Sequence, residues 1–237
     1  MRGLVGELVV IEGDEAHHAV RVKRLGEGAA IELIDGTGRV AAAEIRSVEK
    51  IGKKGGWRLT ALIDAVRTEP PIVPRVDLFT EPPKGAHLEQ LIDQLSQLGA
   101  ASWSPLECTL SEVDPREGKL ERLARTATEA SKQCGRAWWL EVGDKTPFAD
   151  AIAADDARIV VCHWTGEPYE PSGHDRIRLL VGPVGDLTER ELAAAREAGA
   201  TIASLGPLVM RIETAAAAAC AIVLDRERRF RQERNES

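Results

Sequence analysis

Two glycine-bearing loops near the C-terminal end of the chain are the first candidates for chemistry. Gly182-Pro183-Val184-Gly185-Asp186 follows the apolar run Leu179-Leu180-Val181, and Gly206 to Arg211 follows a second β-like run, Thr201 to Leu205. Each loop lies between a strand and a helix, which is how a chain brings bare backbone against a flat, polar ligand. Glycine would serve an ordinary strand-to-helix connection equally well. Thr188 with Glu191 three residues on forms a capping box, so the first loop is held rigid at both ends. Two basic clusters come next. His17, His18, Arg21, Lys23 and Arg24 fall on an expected helix from Asp14 to Leu25, where Arg21 and Arg24, three apart, project together. Arginine matches phosphate oxygens bidentately, but basic residues late in a helix also simply favour its dipole. Gln133 and Arg136 end another expected helix, with Gly135 available as a left-handed cap. They could read a base edge and a phosphate, or Arg136 could satisfy carbonyls at its own helix end.

The elements that must position these residues divide at Thr68-Glu69-Pro70-Pro71-Ile72-Val73-Pro74, a segment that fits neither a helix nor a central strand. Before it the chain reads as short strands: Glu7 to Ile11, Ala30 to Ile34, Val40 to Val48 and Trp57 to Val66, with Asp35-Gly36-Thr37-Gly38 as a hairpin connection. Strands of this length in about 70 residues suggest a small barrel. After the prolines, strands alternate with helices, the pattern of a parallel α/β sheet. The expected elements are strands Val76 to Thr80, Ala101 to Leu106 and Arg158 to Trp164, and helices His87 to Leu98 and Gly118 to Gln133. The tail from Asp225 to Ser237, with 5 Arg against 4 acidic residues, reads as a frayed, solvated helix end.

Composition narrows the function classes. The chain has 237 residues, 43% hydrophobic and 29% charged, an ordinary globular balance. No apolar run approaches the ~20 residues of a membrane span, and the first residues lack the layout of a signal peptide. Cys108, Cys134, Cys162 and Cys220 are far apart without metal spacing, which points to reduced thiols in the cytoplasm and no metal site. Cys134 reads as a buried structural thiol rather than a nucleophile. The net charge of −7 speaks against bulk attraction to nucleic acid. Residues 1–70 hold 11 basic against 11 acidic side chains, so the negative charge lies wholly in the C-terminal part. Any RNA contact must rest on a local patch.

Taken as a pair, the two glycine loops resemble the cofactor-binding loops of the SPOUT methyltransferases, in particular the 16S ribosomal RNA uridine-N3 methyltransferase family. Gly182, Pro183, Gly185, Thr188, Glu191, Leu205, Gly206, Arg211, Glu213, Thr214 and Ala215 match; Val184, Asp186, Leu208 and Ile212 replace the family's Glu, second Gly, Arg and Thr. His18, Arg21, Val22, Arg24, Leu25, Gly28, Asp35 and Gly36 are similar to its N-terminal motif, with Lys23 where Leu is common, and Glu129-Ala130 with Gln133 and Arg136 to a second. A third is altered: Lys84-Gly85 match, while Gln94, Gln97 and Leu110 stand for Lys, Glu and Arg.

The resemblance implies an α/β protein with a PUA-like β-barrel over 1–70 that docks RNA and a trefoil-knotted SPOUT domain over 71–237. It implies S-adenosylmethionine as cofactor, held by Gly182, Pro183, Gly185, Leu205, Gly206, Pro207 and Met210. His18, Arg21, Lys23 and Arg24 would contact RNA. The implied reaction is methylation of uridine N3 in 16S ribosomal RNA of the small subunit, by a homodimer without metal. Losing the N3 proton spreads negative charge onto the flanking carbonyl oxygens, so a positive donor stabilises the transition state. Arg211, next to the expected methyl group, is the first candidate, and Arg136 with Gln133 the second. Arg211 could instead be part of a buried structural pair. The altered positions motivate a different class, a non-catalytic RNA-binding or ribosome-assembly factor on the same fold; a third reading is an active enzyme with another RNA target.

Overall fold

The computed structural model describes residues 4–52, 56–111, 117–153, 156–183 and 185–235. The chain divides into two compact units, Met1–Pro70 and Pro71–Ser237. The first is built on β1 (Leu8–Glu12), β2 (Ala30–Ile34), β3 (Arg39–Ile51) and β4 (Gly56–Thr68), paired antiparallel in the order β1-β4-β3-β2. Leu59, Ala61 and Ile63 of β4 are buried and their neighbours are not, the period-2 pattern of a strand with one face on a core. Bulges in the β3–β4 ladder at Ala42/Ala43 and at Ile45/Ser47 bend the long strands. The Asp35 carboxylate ties the β2–β3 turn by accepting the N–H groups of Thr37 and Arg39 at 2.8 and 3.2 Å.

The expected helix over Asp14 to Leu25 is not continuous. Helix α1 (Gly13–His17) passes into a π-helical turn, His18–Val22, where Lys23 N–H reaches His18 O, and Leu25 N–H then reaches Ala19 O. The reason is packing. Ala16, Ala19, Val20 and Leu25 all pack against Ile45 and Leu59, yet in a regular α-helix Leu25 would lie about 180° round from Ala16. Widening the turn brings Leu25 back to the core. It also leaves Arg24 beyond the turn with a left-handed φ of 57°, so Arg21 and Arg24 do not share a helix face.

In the second unit a parallel sheet runs β11 (Thr201–Ser204), β9 (Arg158–Pro168), β10 (Arg176–Val181), β5 (Arg75–Thr80), β6 (Ser102–Glu107) and β7 (Glu141–Val142), with β8 (Thr146–Pro147) also on β6. Helices α2 (His87–Leu98), α3 (Glu117–Cys134), α4 (Phe148–Ile152), α5 (Glu189–Glu197) and α6 (Ile212–Asn235) alternate with the strands. Covered on both faces, β5 and β10 read as near-continuous apolar runs. Leu78, Trp103 and Leu179 face Leu91 of α2 and Ala216 of α6, while Phe79, Leu106 and Leu180 face Leu192 of α5. Asp77, buried in β5, fixes the register: it accepts from Arg75, Ser102 and Arg176 on its own and both adjacent strands at 2.6–2.9 Å.

The C-terminal tail departs from expectation. Helix α6 continues to Asn235 because Glu227, with no solvent exposure, is clamped by the β9–β10 loop. Its carboxylate accepts the Tyr169 hydroxyl at 2.6 Å, the Ser172 hydroxyl at 3.1 Å, and the N–H groups of Ser172 and Gly173 at 2.8 Å each. Arg226 donates to Tyr169 O and Arg231 to Asp175 on the same loop. Charge here fastens the helix to the domain instead of solvating it.

Candidate active site

The carboxyl ends of parallel strands leave a crevice where connecting loops diverge. Here the segments that follow β5, β10 and β11, with the middle of β9, line one cavity of about 730 Å³, within the size range of small-molecule sites. The β9 contribution has an unusual origin. As β11 advances by one residue, from Ile202 to Ala203, its partner on β9 jumps from Val161 to Glu167. Cys162 to Gly166 are thereby extruded from the β11 ladder, and Cys162, His163 and Trp164 line the cavity. Gly166 permits this crossing, since a Cβ there would stand 2.6 Å from Ile202 O.

Of the cofactor residues expected from sequence, Gly182, Pro183, Leu205, Gly206 and Met210 line the cavity, and Gly185 and Pro207 do not. The space a Gly185 side chain would enter faces Leu110, at 3.5 Å. Val184 lies outside the described residues. Gly206 has φ 142°, open only to glycine, with nothing within 4 Å of where its Cβ would be. Arg211 is exposed on the cavity and has no side-chain partner among the described residues, so it is not a buried structural pair.

Arg136 and Gln133 are not brought to this cavity within the chain. Arg136 donates to Ser96 O at 2.8 Å and Ala100 O at 3.0 Å, closing the carbonyls at the end of α2 rather than those of its own helix. Burial lowers its pKa. Gln133 is exposed on a second hollow with Asp93 and Arg122. Gly135 does take the left-handed cap, at φ 72°, but Cys134 is exposed, not buried. Burial pushes the thiols of Cys108, Cys162 and Cys220 up to about 12, so none offers a thiolate at neutral pH. No cluster of metal-ligating side chains occurs among the described residues.

Sequence reasoning missed the group that joins the first loop to β9. Asp186 adopts φ 67° where the related motif has glycine, a conformation aspartate tolerates better than most residues. Its Oδ1 accepts Leu187 N–H at 2.8 Å, and its Oδ2 meets His163 Nε2 and Trp164 Nε1, each at 3.1 Å. Thr165 N–H donates to His163 Nδ1 at 3.2 Å, so the ring proton sits on Nε2 and is given to Asp186. The altered residue thus holds two walls of the cavity together. His87 and Glu213, 3.6 Å apart, contribute from the starts of α2 and α6. Glu191 completes the expected capping box with Thr188 and also accepts Thr109 N–H at 2.8 Å, fastening the loop after β6.

His18, Arg21, Lys23 and Arg24 are all exposed on the first unit. None makes an ion pair among the described residues, whereas Arg46, Arg58 and Arg67 of the same unit pair with Glu44, Glu12 and Glu32.

Comparison with known proteins agrees with this arrangement. Residues 69–224 match the model of an RNA methyltransferase domain, and residues 11–55 that of an RNA methyltransferase PUA domain. Ribosomal RNA small subunit methyltransferase E of Mycobacterium bovis is 32% identical over 92% of this chain and 86% of its own length. The protein of the same name from Bacillus subtilis is 29% identical over 86% and 85%. The crystal structure of ribosomal RNA small subunit methyltransferase E from Neisseria gonorrhoeae, bound to S-adenosyl methionine, superposes with a TM-score of 0.79 at 25% identity, covering 93% of this chain and 92% of that one. With a PUA-type unit before a parallel α/β unit and the matching loops around one cavity, this chain belongs to the RNA methyltransferase family that includes the ribosomal RNA small subunit methyltransferases E.

Proposed function

We propose that the protein uses S-adenosylmethionine to methylate N3 of a uridine in the ribosomal RNA of the small subunit. The observation that carries the reading is the convergence of both glycine loops and the extruded part of β9 on one cavity with Arg211 exposed on it. The cavity fits the cofactor: its volume is adequate, and Gly206 leaves open the space a side chain would fill. Gly182, Leu205, Gly206 and Met210 would hold adenine and ribose through backbone groups. When bound, the cofactor supplies an electrophilic methyl group on a sulfonium.

Arg211 would stabilise the charge that builds on the uridine carbonyl oxygens as N3 loses its proton, the role of a donor aimed at charge that develops during reaction. Arg136 is committed to backbone carbonyls in the last turn of α2 and just beyond it, which favours Arg211 as the donor. The first unit would dock RNA through His18, Arg21, Lys23 and Arg24. The Asp186 bonds to His163 and Trp164 support an intact pocket at one of the altered positions.

The test is methyl transfer from labelled cofactor to small ribosomal subunits and to naked 16S RNA, with the modified nucleoside identified by mass spectrometry. 3-Methyluridine is the expected product. Another methylated nucleoside would assign a different RNA target. Protein that neither binds the cofactor nor transfers a methyl group would turn the reading to a ribosome-assembly factor.

A further inference from the structure

Trp164 is the one Trp, Tyr or Phe side chain among the described residues of the cavity wall, and it is 72% exposed. A large ring left in water by the folded chain needs a reason, and its place on the extruded part of β9 is specifically built. The five residues Cys162 to Gly166 leave the β11 ladder, and only a glycine at 166 lets the strands pass so closely. The polar edge of the indole is already spent, since Nε1 donates to Asp186 Oδ2 at 3.1 Å. The His163 ring stands beside it at 5.4 Å, tilted by 35°. The indole is thus held in orientation by its edge while most of its surface stays open. Leu208 and Val209, 79% and 96% exposed, line the same cavity from the second glycine loop.

We propose that the indole of Trp164 is the platform on which the target base stacks when it leaves the RNA to enter the cavity. The inference rests on the methyltransferase reading above and adds the residue that receives the base. An enzyme acting on a base must take it out of its stack, and flat aromatic or apolar side chains replace the lost stacking. A ring whose N–H is occupied offers a π-face and no base-specific hydrogen bond, so Trp164 supplies affinity and geometry while base identity is read elsewhere.

The experiment measures affinity for a short single-stranded oligouridylate with the cavity filled by S-adenosylhomocysteine. Trp164→Ala weakens binding about ten- to a hundredfold, the usual cost of losing one base–aromatic stack, and Trp164→Phe retains most of it. Both variants lose the Nε1 bond to Asp186 alike, so the difference between them reads the ring alone, and both still fold and bind S-adenosylhomocysteine. Equal oligouridylate affinities in wild type and Trp164→Ala, including no measurable binding by either, overturn the platform. So does loss of S-adenosylhomocysteine binding in Trp164→Ala, which would make the indole part of the cofactor's wall. A change of oligomeric state in that variant overturns it too, because a second copy would then cover the ring. The readout is binding, so wild-type protein that grips the oligouridylate through Trp164 but methylates nothing would sink the proposed function and leave the platform standing.

Discussion

An arginine exposed on a cavity wall, with no carboxylate to hold it, is available for charge that exists only during a reaction. Among the described residues that is the case for Arg211. Its replacement by Ala should lower methyl transfer roughly a hundredfold, about 3 kcal/mol, with cofactor and RNA affinities falling far less. Lysine should restore only part, lacking the planar fork. Single-turnover rates beside binding isotherms check this; normal rates in well-folded Arg211→Ala would remove the residue from the mechanism. Gly206 acts at the same scale by having no side chain. At φ 142° it faces open space, so Gly206→Val both strains the loop and fills the cofactor's volume. Calorimetry should find S-adenosylmethionine binding abolished while circular dichroism stays native, and retained binding would mean the cofactor lies elsewhere. That Gly182, Gly206 and Arg211 would meet at one cavity was legible in sequence, because few residue types suit such loops, whereas Gly185 faces Leu110 instead. The part played by Asp186 was not legible. A carboxylate where a glycine is expected reads as loss until its bonds to His163 and Trp164 are seen, and those partners are 22 or more residues away. Arg136 departs in the opposite direction: it looks chemical in sequence and, within the chain, donates to backbone carbonyls 36 and 40 residues away.

At the scale of elements, the sharpest departure is the end of α6, where Glu227 is buried under four hydrogen bonds from the β9–β10 loop. Burial pushes its carboxyl up, but the bonds from Tyr169, Ser172 and Gly173 outweigh that and leave it below the ordinary 4.5. A carboxyl lowered in the folded state stabilises above its unfolded value and loses that contribution as pH falls through its folded one. Glu227→Gln presents an amide NH₂ to groups that are themselves donors, so at neutral pH it should destabilise by roughly 2–4 kcal/mol. The gap to wild type should then narrow below about pH 4.5. Urea titrations across this range test it, and a gap independent of pH would mean the carboxylate is not the source. The tail was misread because composition reports charge and not its partners, and the partners lie 54 to 58 residues earlier. The alternation of strands and helices, by contrast, was readable, since β5, α2 and β10 carry their burial in local apolar runs. The π turn at His18–Val22 and the extrusion of Cys162 to Gly166 leave no period in the sequence, because each answers to packing against a distant element.

Across the whole molecule, charge divides unevenly between two units. Residues 1–70 sum to zero charge, yet Arg46, Arg58 and Arg67 engage acidic partners within the unit. His18, Arg21, Lys23 and Arg24 stay exposed and unpaired among the described residues. A neutral unit can therefore present a local positive patch, which is what RNA docking requires of a chain whose net charge is −7. The change from α to π winding does not remove that patch: a π turn followed by a left-handed Arg24 still leaves these side chains in solvent, though not on one helix face. If they grip phosphates, replacing Arg21 and Arg24 together by Ala should weaken binding to ribosomal RNA at low salt. It should also flatten the dependence of log affinity on log salt by about one for each phosphate no longer neutralised. Cofactor affinity should not move, because every residue lining the cavity belongs to the second unit. Filter binding over a range of potassium chloride, alongside calorimetry with S-adenosylmethionine, separates the two effects. A salt slope unchanged in the double variant would mean that the turn is merely solvated and that RNA is held by other residues, while a fall in cofactor affinity would show that the two units do not act independently.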